Sequence, residues 1–296
     1  MRLVSSLRSI DTLHVLKHAG ATGVLIGIEG LSYRSSNFSI EQIQSIIDEA
    51  SRIGLEVYLQ CNRMIEEEDL PFLDRTLTSI SSLQIAGIYF QDLAYVTILK
   101  KLGSSIPRIY APEAMITSTA EVGAFLHCGI DRVVLAKELT LEEILHIAKA
   151  FPNKVELFGF GHRPMSFSRR PMVKNYLDEI GKDPMLAQGY DLRIQEAQRQ
   201  GLYPILEEDK VTTIFDASVF CALRETLTLQ KAGVHTLIAE DLFLPQASIV
   251  EYLRLTTEVQ NGLDPQEAFQ QLNQVVKIDE GFFHQKTNAT KVEVSK

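Results

Sequence analysis

The chain has 296 residues, 45% of them hydrophobic and 23% charged, with mean hydropathy near zero. This is the composition of a soluble globular protein, and the length suits one large α/β barrel or two ordinary domains. A net charge of −9 and a pI of about 5.4 argue against a surface coated in Lys and Arg for nucleic acid, while leaving room for a local basic groove.

Strands and helices alternate along most of the chain. Met1 to Ser5 reads as a short strand, Ser9 to Ala19 as a helix ending at Gly20, and Gly23 to Ile28 as a buried strand. Ser39 to Ile53 is a predicted helix, with Ser39 and Gln42 at capping-box spacing and Gly54 closing it. Leu55 to Cys61 is a strand, and the acidic run Glu66 to Asp69 suits the start of a helix. Strands follow at Ala86–Phe90, Pro107–Tyr110 and Asp131–Leu135, alternating with helices at Leu93–Leu102, Ser118–Cys128 and Leu141–Ala150. Val155 to Phe160 is the seventh strand. After it the rhythm breaks: 171–203 reads as an irregular polar insertion, with a charged helix near Leu192 to Gln200. Val211–Phe215 reads as a strand, Ser218–Ala232 as a helix, Val234–Ala239 as the last good strand, and Ile249–Val259 and Leu263–Val275 as helices.

This alternation means βα units and a parallel sheet. Six to eight such units favour a closed (β/α)8 barrel of TIM type, with some distortion allowed, over an open Rossmann sheet. No G-x-G-x-x-G follows the first strand. The expected organisation is a barrel over 1–260, interrupted around 171–203, and a C-terminal helix and extension over 261–296. No apolar run is long enough to span a bilayer. MRLVSSLRSI lacks the apolar core of a signal peptide, so the cytoplasm is the expected location. Cys61, Cys128 and Cys221 are too scattered for a disulfide framework or zinc site.

In a barrel, chemistry gathers where strands end and βα loops begin. The polar residues there are Glu29, Tyr33 and Arg34; Gln60, Asn62 and Arg63; Gln91 and Asp92; Glu113 and Thr117; Lys137 and Glu138; His162, Arg169 and Arg170; Asp216; and Glu240 and Asp241. From this ring His162, Glu138 and Asp92 are the catalytic candidates. Arg34, Asn62, Lys137, His162, Arg169 and Arg170 are the candidates for holding substrate. His162 fits a general base, a phosphate contact or an aromatic stacker, and equally a loop histidine bonded to a carbonyl. Arg169 and Arg170 suit bidentate grip on a phosphate or carboxylate, or an ion pair with Glu156 or Glu138. Cys61 ends a strand, as a catalytic thiol would, but has no sequence-near histidine. G-x-S-x-G and H-E-x-x-H are both missing. His14 and His18 share a helix face without a third metal ligand, so no metal site is expected.

Several segments together resemble one family. Gly20-Ala-Thr-Gly-Val-Leu-Ile-Gly, Asn37-Phe-Ser-Ile-Glu-Gln-Ile, Val133 to Ile144, Glu156 to Gly161 with Ser166-Phe-Ser, Arg170 and Asn175-Tyr176, and Asp279 to Thr287 carry the likeness. The chain is similar to the collagenase-like peptidase family of unassigned catalytic type (peptidase family U, number thirty-two). Most members carry four cysteines from the strand-seven signature onward, taken to hold an iron–sulfur cluster. Here the first two positions are Pro164 and Pro171, and no cysteine follows before Cys221. The chain therefore resembles the short subgroup that lacks the cluster, and no cofactor is expected. The resemblance implies a cluster-free subunit of a tRNA wobble-uridine 5-hydroxylation system, heterodimeric with a cysteine-bearing homologue and in contact with tRNA. The alternatives it leaves are a collagenase-like peptidase and, from the residues alone, a barrel enzyme acting on a small anionic substrate.

Overall fold

The computed structural model describes residues 1–197, 201–209 and 211–285. Eight parallel strands close into a barrel: β1 (Arg2–Ser6), β2 (Gly23–Ile28), β3 (Glu56–Cys61), β4 (Gly87–Phe90), β5 (Arg108–Tyr110), β6 (Arg132–Val134), β7 (Val155–Gly161) and β8 (Thr236–Ala239). Closure is direct, because β8 pairs with both neighbours: Thr236 sits opposite Arg2 on β1 and opposite Glu156 on β7. The strands read as unbroken apolar runs because both faces are covered; every residue of β2, β4, β7 and β8 is buried. Inside the barrel, Val4, Leu25, Tyr58, Tyr89, Ile109, Val134 and Ile238 form one packed layer. Outside, helix faces such as Ile43, Ile46, Ile47 and Ala50 cover the sheet.

Local chemistry sets the helix ends. Ser39 and Gln42 form the expected reciprocal capping box at the start of Ile40–Arg52, and Thr140 with Glu143 repeats it at Leu141–Ala150. Glu67–Asp69 forms a 3-10 turn leading into helix Leu70–Ile80, whose Pro71 occupies the first turn.

The segment after β7 differs from its sequence reading. An ordered antiparallel sheet spans it, with strands in the order Arg193–Ile194, Tyr203–Glu208, Val211–Phe215 and Pro164–Ser168. The insertion is thus larger than 171–203 and flanks the barrel mouth. Val211–Phe215 is a strand, but it runs antiparallel to Tyr203–Glu208 and Pro164–Ser168, outside the parallel series. The charged helix expected near Leu192 to Gln200 does not form over 192–197, because Arg193–Ile194 pairs with Tyr203–Pro204; residues 198–200 lie outside the described residues. The front of the expected Ser218–Ala232 helix is also extended: Val219–Cys221 pairs antiparallel with the end of β7, and the helix begins at Thr226. A short buried Val-Phe-Cys run satisfies either periodicity, and here the β7 edge decides it.

Helix Pro265–Val275 leads to Ile278–Asp279, which pairs parallel with Val219–Phe220. No helix among the described residues is long and apolar enough to cross a membrane.

Candidate active-site cleft at the barrel mouth

The loop after β2 is bolted to the loop after β3. The Asn62 carboxamide accepts from the Tyr33 N–H at 2.7 Å and donates to the Tyr33 carbonyl at 3.1 Å. Ser32 accepts from the Ile28 N–H at 2.8 Å and donates to the Gln60 carbonyl. Arg63 adds bonds to the Tyr33 hydroxyl at 3.2 Å and the Gly30 carbonyl at 2.9 Å. Held this way, Arg34 takes the left-handed conformation (φ 59°) that bulky residues avoid. Its side chain is only 6% exposed and turns inward to the Glu113 carboxylate. Its own N–H donates to Glu208 of the insertion at 2.7 Å.

Glu113 is shared. Lys137, from the loop after β6, reaches its other oxygen at 2.9 Å and lies 5.1 Å from the Phe158 ring centre. Burial alone pushes the Glu113 carboxyl up, but Arg34 and then Lys137 outweigh it and hold the group at about 2. Glu240, just past β8, goes the other way. Burial raises it, and Lys137 and Arg34 only partly offset this. One mouth therefore holds a carboxylate fixed in its charged form and another poised toward its neutral form.

Two connected hollows meet at Leu25, Gln60 and Glu240. The inner one, about 50 Å³, descends toward Tyr89 and Phe158 and includes Glu113 and Lys137. The outer one, about 360 Å³, lies between the mouth and the insertion. Its walls include Arg8, Arg34, Tyr190, Arg193, Asp241 and Phe243. Arg8 is anchored to Asp241 at 2.7 Å, and burial raises the Asp241 carboxyl despite that contact. Phe243 sits edge-to-face with Tyr190 at 6.0 Å, and the Arg193 guanidinium lies 5.3 Å from its ring centre.

Arg34 and Lys137 stand at this site, and Asn62 lines the inner hollow while positioning Arg34. The rest of the expected set does not converge with them. His162 borders neither hollow; its Nδ1 donates to the Asp216 carbonyl at 2.8 Å, and burial lowers its pKa. It is the loop histidine bonded to a carbonyl. Arg169 pairs with Glu66 on a separate hollow, and Arg170 is exposed, so neither lines the two hollows at the mouth. Their partner is neither Glu156 nor Glu138. Asp92 caps local backbone, accepting from Ile65 at 3.2 Å and Ala94 at 2.9 Å, and Glu138 is exposed away from both hollows. Cys61 and Cys221 are fully buried, and burial pushes both thiols up to about 12, which removes them as thiolate nucleophiles. The sequence reading missed Arg8, Tyr190, Arg193, Glu208 and Phe243. Four belong to the insertion or the loop after β8, whose approach to the mouth no local periodicity encodes.

Apart from the mouth, Glu225, Glu280 and His284 bring ligand-type atoms within 4.8 Å of one another. Arg224 already takes one Glu280 oxygen at 2.6 Å, so the group fastens the C-terminal segment to the barrel.

Residues 8–293 match the profile described as Peptidase family U32. The chain belongs to this family. Its curated relatives include "tRNA hydroxylation protein P2" of Bacillus subtilis, 22% identical over 96% of this chain and 97% of that protein. The "tRNA hydroxylation protein P" of Escherichia coli is 24% identical over 79% of this chain and 62% of that protein. A "Collagenase" of Porphyromonas gingivalis is 27% identical over 56% of this chain and 43% of that protein. The chain thus spans nearly all of the P2 relative and under half of the collagenase. Among solved structures, the U32 peptidase Mk0906 superposes with a TM-score of 0.49 at 13% identity, over 81% of this chain and 92% of that one.

Proposed function

We propose that this protein is a cluster-free subunit of a tRNA wobble-uridine 5-hydroxylation system, working as a heterodimer with a cysteine-bearing U32 homologue in the cytoplasm. The observation that carries this reading is the end-to-end match with the P2 relative, together with prolines at 164 and 171. The presence of a P1 relative in the same organism as P2 supports a paired arrangement. Pro164 opens the edge strand of the inserted sheet and Pro171 precedes helix Met172–Glu179; neither side chain offers a ligand atom. Cys61 and Cys221 are buried in separate strands and Cys128 is exposed at a helix end, so the residues present do not fit an iron–sulfur cluster.

A peptidase role has less support, since the thiols at the core are held protonated. The small-anion reading loses Arg169 and Arg170 but keeps Arg34 and Lys137. The deciding experiment deletes the gene and measures 5-hydroxyuridine at the tRNA wobble position by mass spectrometry. Loss of the modification, restored by the plasmid-borne gene, is expected; tRNA that stays fully hydroxylated overturns the proposal.

A further inference from the structure

Three polar residues stand around the join of the two hollows at the barrel mouth: Arg34, Gln60 and Glu240. Arg34, nine-tenths buried, has an Nη1 with no acceptor even though Nη2 is held by Glu113. The Gln60 amide and the Glu240 carboxyl stand where the two hollows join, and neither has a hydrogen bond among the described residues. Buried polar groups are ordinarily satisfied, and the shielded Arg34 Nη1 is not, while Gln60 and Glu240 are partly exposed and open to a ligand in the hollow. Arg34 calls for an oxyanion. An amide beside a carboxyl suits the alternating carbonyl and N–H edge of a pyrimidine. Phe243, with the Arg193 guanidinium over its ring, and Tyr190, set edge-on to it, add an aromatic and cationic wall for a base. The outer hollow, about 360 Å³, is within the size range of small-ligand pockets.

We propose that this chain's own cleft receives the target pyrimidine nucleotide, unstacked from the RNA, with Gln60 and Glu240 reading its base edge and Arg34 taking an oxyanion. This rests on the tRNA reading and adds to it that the cluster-free subunit itself holds the nucleotide. Enzymes that modify a base take it out of the stack, and a polar pocket of this kind offsets the cost of unstacking.

The test is calorimetric titration of the full chain with uridine 5′-monophosphate, with uridine and inorganic phosphate in separate arms. Saturable binding of the monophosphate is expected, with each half at least about ten-fold weaker. Gln60→Leu is expected to weaken the monophosphate about ten-fold at an unchanged melting temperature, and Glu240→Gln provides the second variant should Gln60→Leu not fold. Absent binding, phosphate binding as tightly as the nucleotide, or full affinity in both variants overturns the inference. Absent binding in a protein whose gene deletion still abolishes wobble hydroxylation overturns this inference alone. Nucleotide binding in a protein whose deletion leaves the tRNA hydroxylated overturns the tRNA reading and keeps the site.

Discussion

Glu156 shows how far a residue's surroundings outrun its type. It lies on β7 at the floor of the barrel, wholly buried, and the sequence offered it only as a partner for Arg169 or Arg170. Its carboxylate instead takes the Arg132 Nε at 2.5 Å, the Tyr89 hydroxyl at 2.6 Å and the His235 Nδ1 at 3.4 Å. Burial pushes this carboxyl up, but His235, Arg132 and Tyr89 outweigh it and hold the group below its ordinary value. Removing the guanidinium strands a buried charge, which costs far more than a surface pair is worth. Arg132→Met is therefore expected to lower unfolding free energy by about 3 kcal/mol in urea titrations. A loss under about 1 kcal/mol, the scale of an exposed pair, would show that Tyr89 and His235 suffice. The mouth follows the same logic. Arg34 and Lys137 were legible as strand-end cations, whereas His162, the most conspicuous candidate, is satisfied by a carbonyl.

Among the elements, β7 carries the most of both fold and site. Its Gly-Phe-Gly ending was visible in the sequence, and so was the barrel, because buried parallel strands and capped helices each leave a periodic signature. What was not legible was the insertion. Its strands at Pro164–Ser168 and Tyr203–Glu208 contain prolines and exposed positions, and their pairing is long-range. Gly161 shows why the chain turns there. Its φ is 129°, and a Cβ would lie 2.3 Å from the Glu240 carbonyl oxygen. The β7–β8 register also shifts between Ile238 and Ala239, so Glu240 can pass this close. Gly161→Ala must move backbone and enter a region nearly reserved for glycine, and a loss of about 2 kcal/mol or more is expected from the urea midpoint. An alanine variant as stable as the parent would mean that the strand end is softer than its packing indicates.

For the whole molecule, opposed carboxyls shape the dependence of stability on pH. Glu113, held at about 2, and Glu156, also lowered, contribute stability that is full above the ordinary value of 4.5 and lost as pH falls toward their folded values. His162, which burial keeps neutral, contributes stability that is full above 6.5 and lost as pH falls below it. Burial raises Glu208, Glu240 and Asp241, so their contribution is full below their ordinary values and lost as pH rises through their raised ones. At neutral pH the fold therefore gives up stability at Glu240, because burial opposes the charged form that the unfolded chain takes freely. A group kept at such a cost suits a ligand site better than a structural one. Glu240→Gln keeps the shape and removes the charge. Its urea midpoint, relative to the parent, is expected to rise as pH climbs above the ordinary carboxyl value of 4.5 and to level off once the raised folded value is passed. A difference that is flat across that range, or that falls toward its alkaline end, would show that Lys137 and Arg34 already stabilise the charged carboxylate. In that case Glu240 would meet a base as a hydrogen-bond acceptor only.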